Sequence, residues 1–343
     1  MLEYEIGPIR PPSQSQSLLL RATRGCSWNK CFFCGIYKGM RYSVRPADDV
    51  VDDVKKAADF YGERRHLFQT CFLQDGDALK LPTGDLSTIL RAVKEYFPSI
   101  RSVTSYARAD TIVQKSVAEL TDLREAGLNH LYSGMETGSG VVLRKINKGF
   151  SPEDIVRSGL MCKQAGIVLS ELLVIGLGGR ELWEENALQS AAVLNEISPE
   201  FIRVHAAAIK ENTKLGHDLA KGNFALQSEE EIVIEQRLLI EKLEGIDSYY
   251  MNEHGVNLLL EVRGKLPSAK AEMLAVIDRY LGFTDEVRLH YALGRRLGYY
   301  HFLTDMEEND LWAMVDGEVK SLENKTPPVD FTVLCNQLRS QMI

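Results

Sequence analysis

The run Ser17-Leu18-Leu19-Leu20-Arg21-Ala22-Thr23-Arg24-Gly25-Cys26-Ser27-Trp28-Asn29-Lys30-Cys31-Phe32-Phe33-Cys34-Gly35 carries an apolar stretch straight into three cysteines within nine residues. Three thiolates so close together can hold three irons of a cubane [4Fe–4S] cluster, and the fourth iron then stays open to a small-molecule ligand. A closed structural cluster or structural zinc needs four protein ligands. No fourth Cys or His lies near: the next cysteine is Cys71 and the nearest histidine His66. Two plainer readings stand beside this one. The three could be buried cysteines packed as small core residues, or half of a zinc site completed from afar. Three of the chain's six cysteines crowd one Gly-flanked, aromatic-rich loop. That grouping favours metal binding, because Cys at fixed spacing in a non-secreted protein marks a metal site.

The wider composition narrows the setting. A chain of 343 residues suits a medium α/β barrel with a smaller appendage. Its 45% hydrophobic and 26% charged residues are those of an ordinary globular protein. A net charge of −8 disfavours nucleic-acid and membrane partners. The start, Met1-Leu2-Glu3-Tyr4-Glu5, has no basic segment followed by an apolar one, so no signal peptide is read there. No apolar run reaches the roughly 20 residues of a membrane span. The expected compartment is the cytoplasm, where thiols stay reduced and a cysteine trio reads as metal-binding.

Along the chain a strand-then-helix alternation repeats six times. Strands are expected at 17–21, 66–73, 102–106, 130–133, 168–175 and 201–206. Helices are expected at 47–61, 86–96, 113–126, 152–165 and 181–197, with Gly127 a fitting helix stop. Short strands alternating with helices of ten to fifteen residues predict a parallel sheet with helices outside. Six such units without a dinucleotide fingerprint predict an α/β fold, a partial (β/α)6 TIM-like barrel. Ligands in such sheets sit at the C-terminal strand ends, where the cysteine loop and Gly176, Gly178 and Gly179 fall. Residues 1–16 read as an irregular lead-in, 17–215 as the barrel, and 216–343 as a mostly helical region that covers the substrate. Helices there are expected at 228–243, from a cap at Ser268 to 280, at 285–299 and at 308–322.

Several separate motifs then agree in order and spacing: Glu125-Ala126-Gly127, Gly134-Met135-Glu136-Thr137-Gly138-Ser139, Asn147-Lys148-Gly149, Ala165-Gly166-Ile167 and Val174-Ile175-Gly176-Leu177. With the cysteine loop they resemble the radical SAM superfamily over about residues 17–215. The resembling branch groups anaerobic coproporphyrinogen dehydrogenases, methylthiotransferases and elongator-type proteins. One departure is the spacing, C-x4-C-x2-C where the family usually has C-x3-C-x2-C. One extra loop residue need not stop three thiolates converging, since the cluster sets geometry at the sulfurs.

The resemblance implies that Cys26, Cys31 and Cys34 hold the [4Fe–4S] cluster and are catalytic. S-adenosyl-L-methionine then chelates the open iron. Reductive cleavage of this cofactor gives a 5′-deoxyadenosyl radical that abstracts hydrogen from an unidentified substrate, with reduced flavodoxin or ferredoxin as electron donor. Such a cluster is oxygen-labile, so an anaerobic setting is implied. It also implies cofactor contacts. Phe33, Ile36 and Tyr37 would lie near the adenine, and Asp75, Gly76 and Asp77 near the methionine amino group. Glu136 would meet the ribose or amino group, Lys148 and Arg108 the carboxylate. Gly176, with Glu181 as its acid, would flank the adenine, and Arg203 and His205 would meet substrate or adenine. Each has a plainer structural role beside it: core filling for Phe33, an Asp-Gly turn for Asp75–Asp77, a solvated Lys148, a structural His205. Auxiliary clusters from Cys71, Cys162 and Cys335 are not expected, nor is a preceding cobalamin domain. The alternative from another class is a non-catalytic haem- or cofactor-carrying protein on the same fold.

Overall fold

The computed structural model describes residues 10–342, so most of the expected lead-in lies outside the described residues. Along the chain run β1 (Leu18–Arg21), β2 (Thr23–Arg24), β3 (Ser43–Val44), α1 (Ala47–Tyr61), β4 (Thr70–Gln74), α2 (Thr83–Tyr96) and β5 (Ser102–Ala107). There follow α3 (Ala109–Ile112), α4 (Val117–Ala126), β6 (Leu128–Glu136), α5 (Gly140–Lys145), α6 (Pro152–Gln164), β7 (Val168–Ile175), α7 (Gly179–Ile197) and β8 (Phe201–Ala206). The remainder is α8 (Lys214–Ala220), α9 (Glu229–Lys242), β9 (Tyr249–Met251), β10 (Gly264–Lys265), α10 (Lys270–Leu281), α11 (Asp285–Leu297), α12 (Asn309–Glu323) and α13 (Phe331–Ser340). The fold is α/β, with one eight-stranded sheet in the order β1-β4-β5-β6-β7-β8-β9-β10 and a mostly helical stretch from 216 onward. The first six strands of this order are the six strands expected from sequence. Among the described residues no helix is long and apolar enough to cross a membrane.

The chain divides into two compact units. The first comprises Met1–Lys30, Ile36–Met135 and Gly149–Glu171. In it β1, β4, β5 and β6 pair in parallel, with Leu18 opposite Cys71, Thr70 opposite Ser102 and Ser105 opposite Leu131. Cys71 and Cys162 are fully buried, and burial pushes the Cys71 thiol up, as for an inert core residue. The second unit comprises Cys31–Gly35, Glu136–Lys148 and Leu172–Ile343. There β8 pairs in parallel with β9, and β10 runs antiparallel to β9.

Some expectations need correction. The second strand begins at Thr70, not 66, because Gly62–Leu67 forms a 3₁₀ turn whose Arg64, Arg65 and His66 are exposed and offer no apolar face. The helix expected at 113–126 begins at Val117 as α4, and the short α3 ends at Ile112, ahead of the expected start. Ser116 caps α4 and Glu119 returns the bond to the Ser116 N–H, a capping box that starts a new helix there. Helix α10 is capped at Ala269, while the Ser268 hydroxyl donates to the Lys265 carbonyl instead.

In the second unit buried side chains take over backbone groups where strands end. Gly176, at φ 92°, donates its N–H to Glu235 at 3.2 Å, and Asn186 Nδ2 donates to the same carboxyl at 2.6 Å. Asn257 accepts from the Ala206 N–H and donates to the Val204 carbonyl, both at 2.7 Å. Asn336 does the same for both groups of Ile209, at 2.9 and 3.1 Å. Gly138 packs so tightly on α7 that an added Cβ would lie 2.3 Å from the Gln189 carbonyl oxygen.

Two predictions follow from this packing. Gly138→Ala should cost about 1–3 kcal/mol, read as a lower urea midpoint, because backbone and not a flexible side chain must move; an unchanged midpoint would contradict the tight approach. Glu235, fully buried, has its carboxyl pushed up to about 7 by burial, against the bonds from Asn186 and Gly176. The folded state therefore favours the protonated acid. This contribution is complete below the ordinary carboxyl value of 4.5 and is lost as pH rises to about 7. On the order of 3 kcal/mol is at stake. Glu235→Gln should flatten that decline in melting temperature, and an identical pH slope in the variant would refute it.

Candidate functional site

The register of β1 on β4 places Arg21 opposite Gln74, so the segments that follow leave the sheet edge together. Asp75 is 1% exposed, and its Oδ2 accepts from Arg21 Nη1 at 2.7 Å and from the Gly25 N–H at 2.9 Å. Its own N–H donates to Thr23 Oγ1 at 3.1 Å, and the Gly76 N–H donates to the Gly25 carbonyl at 3.1 Å. A Cβ on Gly76 would stand 3.2 Å from the Cys26 Cβ and 3.0 Å from the Tyr37 ring. Glycine lets this turn lie close against the first cysteine, where an added Cβ would make its neighbours give by a few tenths of an ångström. Asp77, fully buried, accepts from Ser27 Oγ at 2.6 Å and Thr111 Oγ1 at 2.7 Å. Burial pushes its carboxyl up while those two hydroxyls and the Arg108 charge oppose the shift. Asp75 and Asp77 thus bracket Cys26, one bonded to the residue before it and one to the residue after it.

The arm that follows the cysteines folds back on their beginning. Strand β2 pairs with β3 at its base, and Asn29 Nδ2 donates to the Tyr37 carbonyl at 2.7 Å. Tyr37 is buried, Tyr42 half-buried, and among the described residues neither hydroxyl has a hydrogen-bond partner. Burial raises both phenols, and nearby Cys26 raises each further. Trp28 lies under Gly149, where an added Cβ would come within 2.5 Å of its ring. The Arg108 guanidinium stands 5.4 Å from the Trp28 ring and 5.1 Å from Phe150, with Nε on Asp110 at 2.9 Å.

Cys26 belongs to the first unit, Cys31 and Cys34 to the second, and each part of the loop is held within its own unit. Phe32 is fixed by its backbone, N–H to the Ile146 carbonyl at 2.8 Å and carbonyl to the Leu215 N–H at 2.9 Å. Phe32 and Phe33 pack against Val142, Ile146, Leu177, Ile209 and Leu215. Cys31 is buried, Cys34 half-buried and Ile36 exposed. Among the described residues no group of three or more His, Cys, Asp or Glu side chains could hold a metal ion. The donor chemistry itself is that of an iron–sulfur cluster: three thiols within nine residues of the chain and no nearby fourth Cys or His.

The remaining expected residues fall into place separately. Glu136, at φ 63°, and Lys148 form an ion pair at 2.6 Å, so each is the other's neighbour. Glu181 bonds Lys145 at 2.9 Å. The Arg203 guanidinium lies 5.8 Å from the Phe201 ring. The His205 and His254 rings are 4.4 Å apart, and burial, His254 and Arg203 push His205 down to about 3, so it is a neutral imidazole. Sequence reasoning missed Glu235, Trp28, Tyr42 and Thr23. Glu235 sits in an acid-rich helix that reads as solvated. Trp28 alone carried a signal, as a large aromatic inside the cysteine loop.

Residues 20–191, half of the chain, match the model of the Radical SAM superfamily. A tRNA-2-methylthio-N(6)-dimethylallyladenosine synthase from Chlorobium phaeobacteroides is 26% identical over 208 residues, 59% of this chain and 45% of that protein. The chain therefore spans under half the length of this curated relative. Among solved structures, methylornithine synthase is 20% identical with a TM-score of 0.45, covering 66% of this chain and 62% of that one. The radical S-adenosylmethionine methyltransferase TsrM from Kitasatospora setae is 13% identical with a TM-score of 0.48, covering 88% and 61%. By the family match, this chain belongs to the radical SAM superfamily: it is an enzyme whose cofactors are a [4Fe–4S] cluster and S-adenosylmethionine.

Proposed function

We propose that Cys26, Cys31 and Cys34 supply the three thiolates of the cluster, and that S-adenosylmethionine completes the open iron through its amino and carboxylate groups. When bound, the cluster would supply the single electron for reductive cleavage of S-adenosylmethionine to methionine and the hydrogen-abstracting 5′-deoxyadenosyl radical. The chain's own share is to bind, orient and exclude water and oxygen. The observation that carries this reading is the Asp75-Gly76-Asp77 turn, laid closely against Cys26 and bonded to the residues on either side of it.

In this reading Asp75 and Asp77 are positioning residues, because both carboxylates already bond the cysteine loop. The turn's backbone, not its acids, faces the methionine amino group. Glu136 and Lys148 act as one unit, the ion pair offering a carboxylate to the ribose and an ammonium to the methionine carboxylate. Phe33, Gly176 and the backbone groups of Ile36 and Tyr37 serve the adenine side, and Arg108 and Arg203 the anionic groups of cofactor or substrate. Residues 17–215 make the catalytic domain and 216–343 carry the substrate specificity. The electron donor is a flavodoxin or ferredoxin, and the setting is the cytoplasm at low oxygen. The overall class is oxidoreductase or transferase.

The test is anaerobic reconstitution with iron and sulfide, reduction by dithionite, addition of S-adenosylmethionine, and chromatography for 5′-deoxyadenosine. The wild type should form it, and Cys31→Ala should fall to the protein-free level. Cleavage retained by Cys31→Ala would overturn the cluster assignment.

A further inference from the structure

Residues 17–46 contain six basic side chains, Arg21, Arg24, Lys30, Lys38, Arg41 and Arg45, and no acid, although the chain as a whole has 48 acids against 40 bases. Arg21 bonds Asp75, Arg45 bonds Asp53, and the Lys30 ammonium lies 5.0 Å from the Trp28 ring. Lys30, Lys38 and Arg41 are exposed. The Lys38 ammonium donates to the Asn29 carbonyl at 3.0 Å, which sets it beside the start of Lys30. Among the described residues neither Lys38 nor Arg41 forms an ion pair. Two apolar side chains on the same arm are open to solvent, Ile36 at 57% and Val44 at 40% exposed.

This arm is braced and close to the first cysteine. Strand β2 holds it at one end, Asn29 bonds the Tyr37 carbonyl in its middle, and a Cβ on Gly25 would lie 3.8 Å from that of Met40. Arg41 therefore follows a residue packed on the neighbour of Cys26. Lys38 is four residues past Cys34, so their Cα atoms are at most about 14 Å apart. Exposed apolar groups among cations without acids favour a partner of opposite charge: the potential steers the encounter and the apolar area is buried on contact.

We propose that Lys30, Lys38 and Arg41, with Ile36 and Val44 among them, form the docking surface for an acidic one-electron carrier protein that reduces the cluster. The proposal rests on the assignment of Cys26, Cys31 and Cys34 as its ligands. For a flavin carrier the step balances simply: the anionic flavin hydroquinone loses one electron to become the neutral semiquinone, the cluster gains it, and no proton or bond moves. Three exposed cations are few for a nucleic-acid interface, which neutralises many phosphates.

The probe is an acidic flavodoxin. Its oxidised form is titrated calorimetrically into the reconstituted enzyme at low and high salt, and its photoreduced form is compared with dithionite as reductant. The wild type should bind it, more weakly at high salt. The Lys38→Glu/Arg41→Glu double variant should bind about tenfold more weakly. Flavodoxin-driven 5′-deoxyadenosine formation should fall with it, while dithionite-driven formation stays at the wild-type rate. Equal flavodoxin binding by variant and wild type would overturn the proposal, as would a wild type that ignores flavodoxin but retains RNA through these residues. Absence of dithionite-driven cleavage in the wild type would instead overturn the cluster assignment, with the calorimetry still deciding the docking.

Discussion

The buried Asp75 carboxylate is the constraint on which the cysteine loop depends. It sits between a guanidinium and a backbone N–H, Arg21 on one side and Gly25 on the other. Charge-assisted bonds of this kind are short and strong in a dry setting. Removing one partner would leave a buried charge unpaired, at a cost of about 3–5 kcal/mol. The bond fixes where the chain turns after β1, one residue ahead of Cys26. The neighbouring glycine then brings backbone against Cys26 itself, and Asp77 fixes the far side through Ser27. A loop that must present thiolates has to be held by something other than the thiolates. Here the holding is done by two acids that never reach solvent.

The same device recurs at other strand ends. A parallel strand that stops leaves backbone groups without ladder partners, and burying them unpaired is costly. Glu235 takes the Gly176 N–H after β7, Asn257 takes both sides of the end of β8, and Asn336 takes Ile209 beyond it. The side chains come from residues 235, 257 and 336, far along the chain from the strands they finish. The stretch beyond residue 216 is therefore structural at β7 and β8 within its own unit, whatever it also contributes to substrate choice.

What could be read from sequence was what depends on local pattern. The periods of α1, β7 and β8 and the clustering of Cys26, Cys31 and Cys34 are carried by adjacent residues, and the expected bounds of those three elements agree with the structure. The start of α4 at Val117 was written in Ser116 and Glu119, a capping signal overridden by the apolar period around it. The two-residue strands β2 and β3 are too short for any period to register. Glu235 was illegible for another reason: its environment is made by Gly176 and Asn186, 59 and 49 residues away. The pairing of Glu136 with Lys148 was likewise hidden, since nothing local tells a ligand-facing lysine from one that already has its acid.

The central claim is that three cysteines of this chain hold a cluster whose remaining iron belongs to the cofactor. The most direct measurement is the Mössbauer spectrum of the anaerobically iron-loaded protein, taken with and without S-adenosylmethionine. The account predicts that adding the cofactor shifts the signal of one iron in four and leaves the other three in place. A spectrum unchanged by the cofactor, or one of four irons all equivalent, would contradict it.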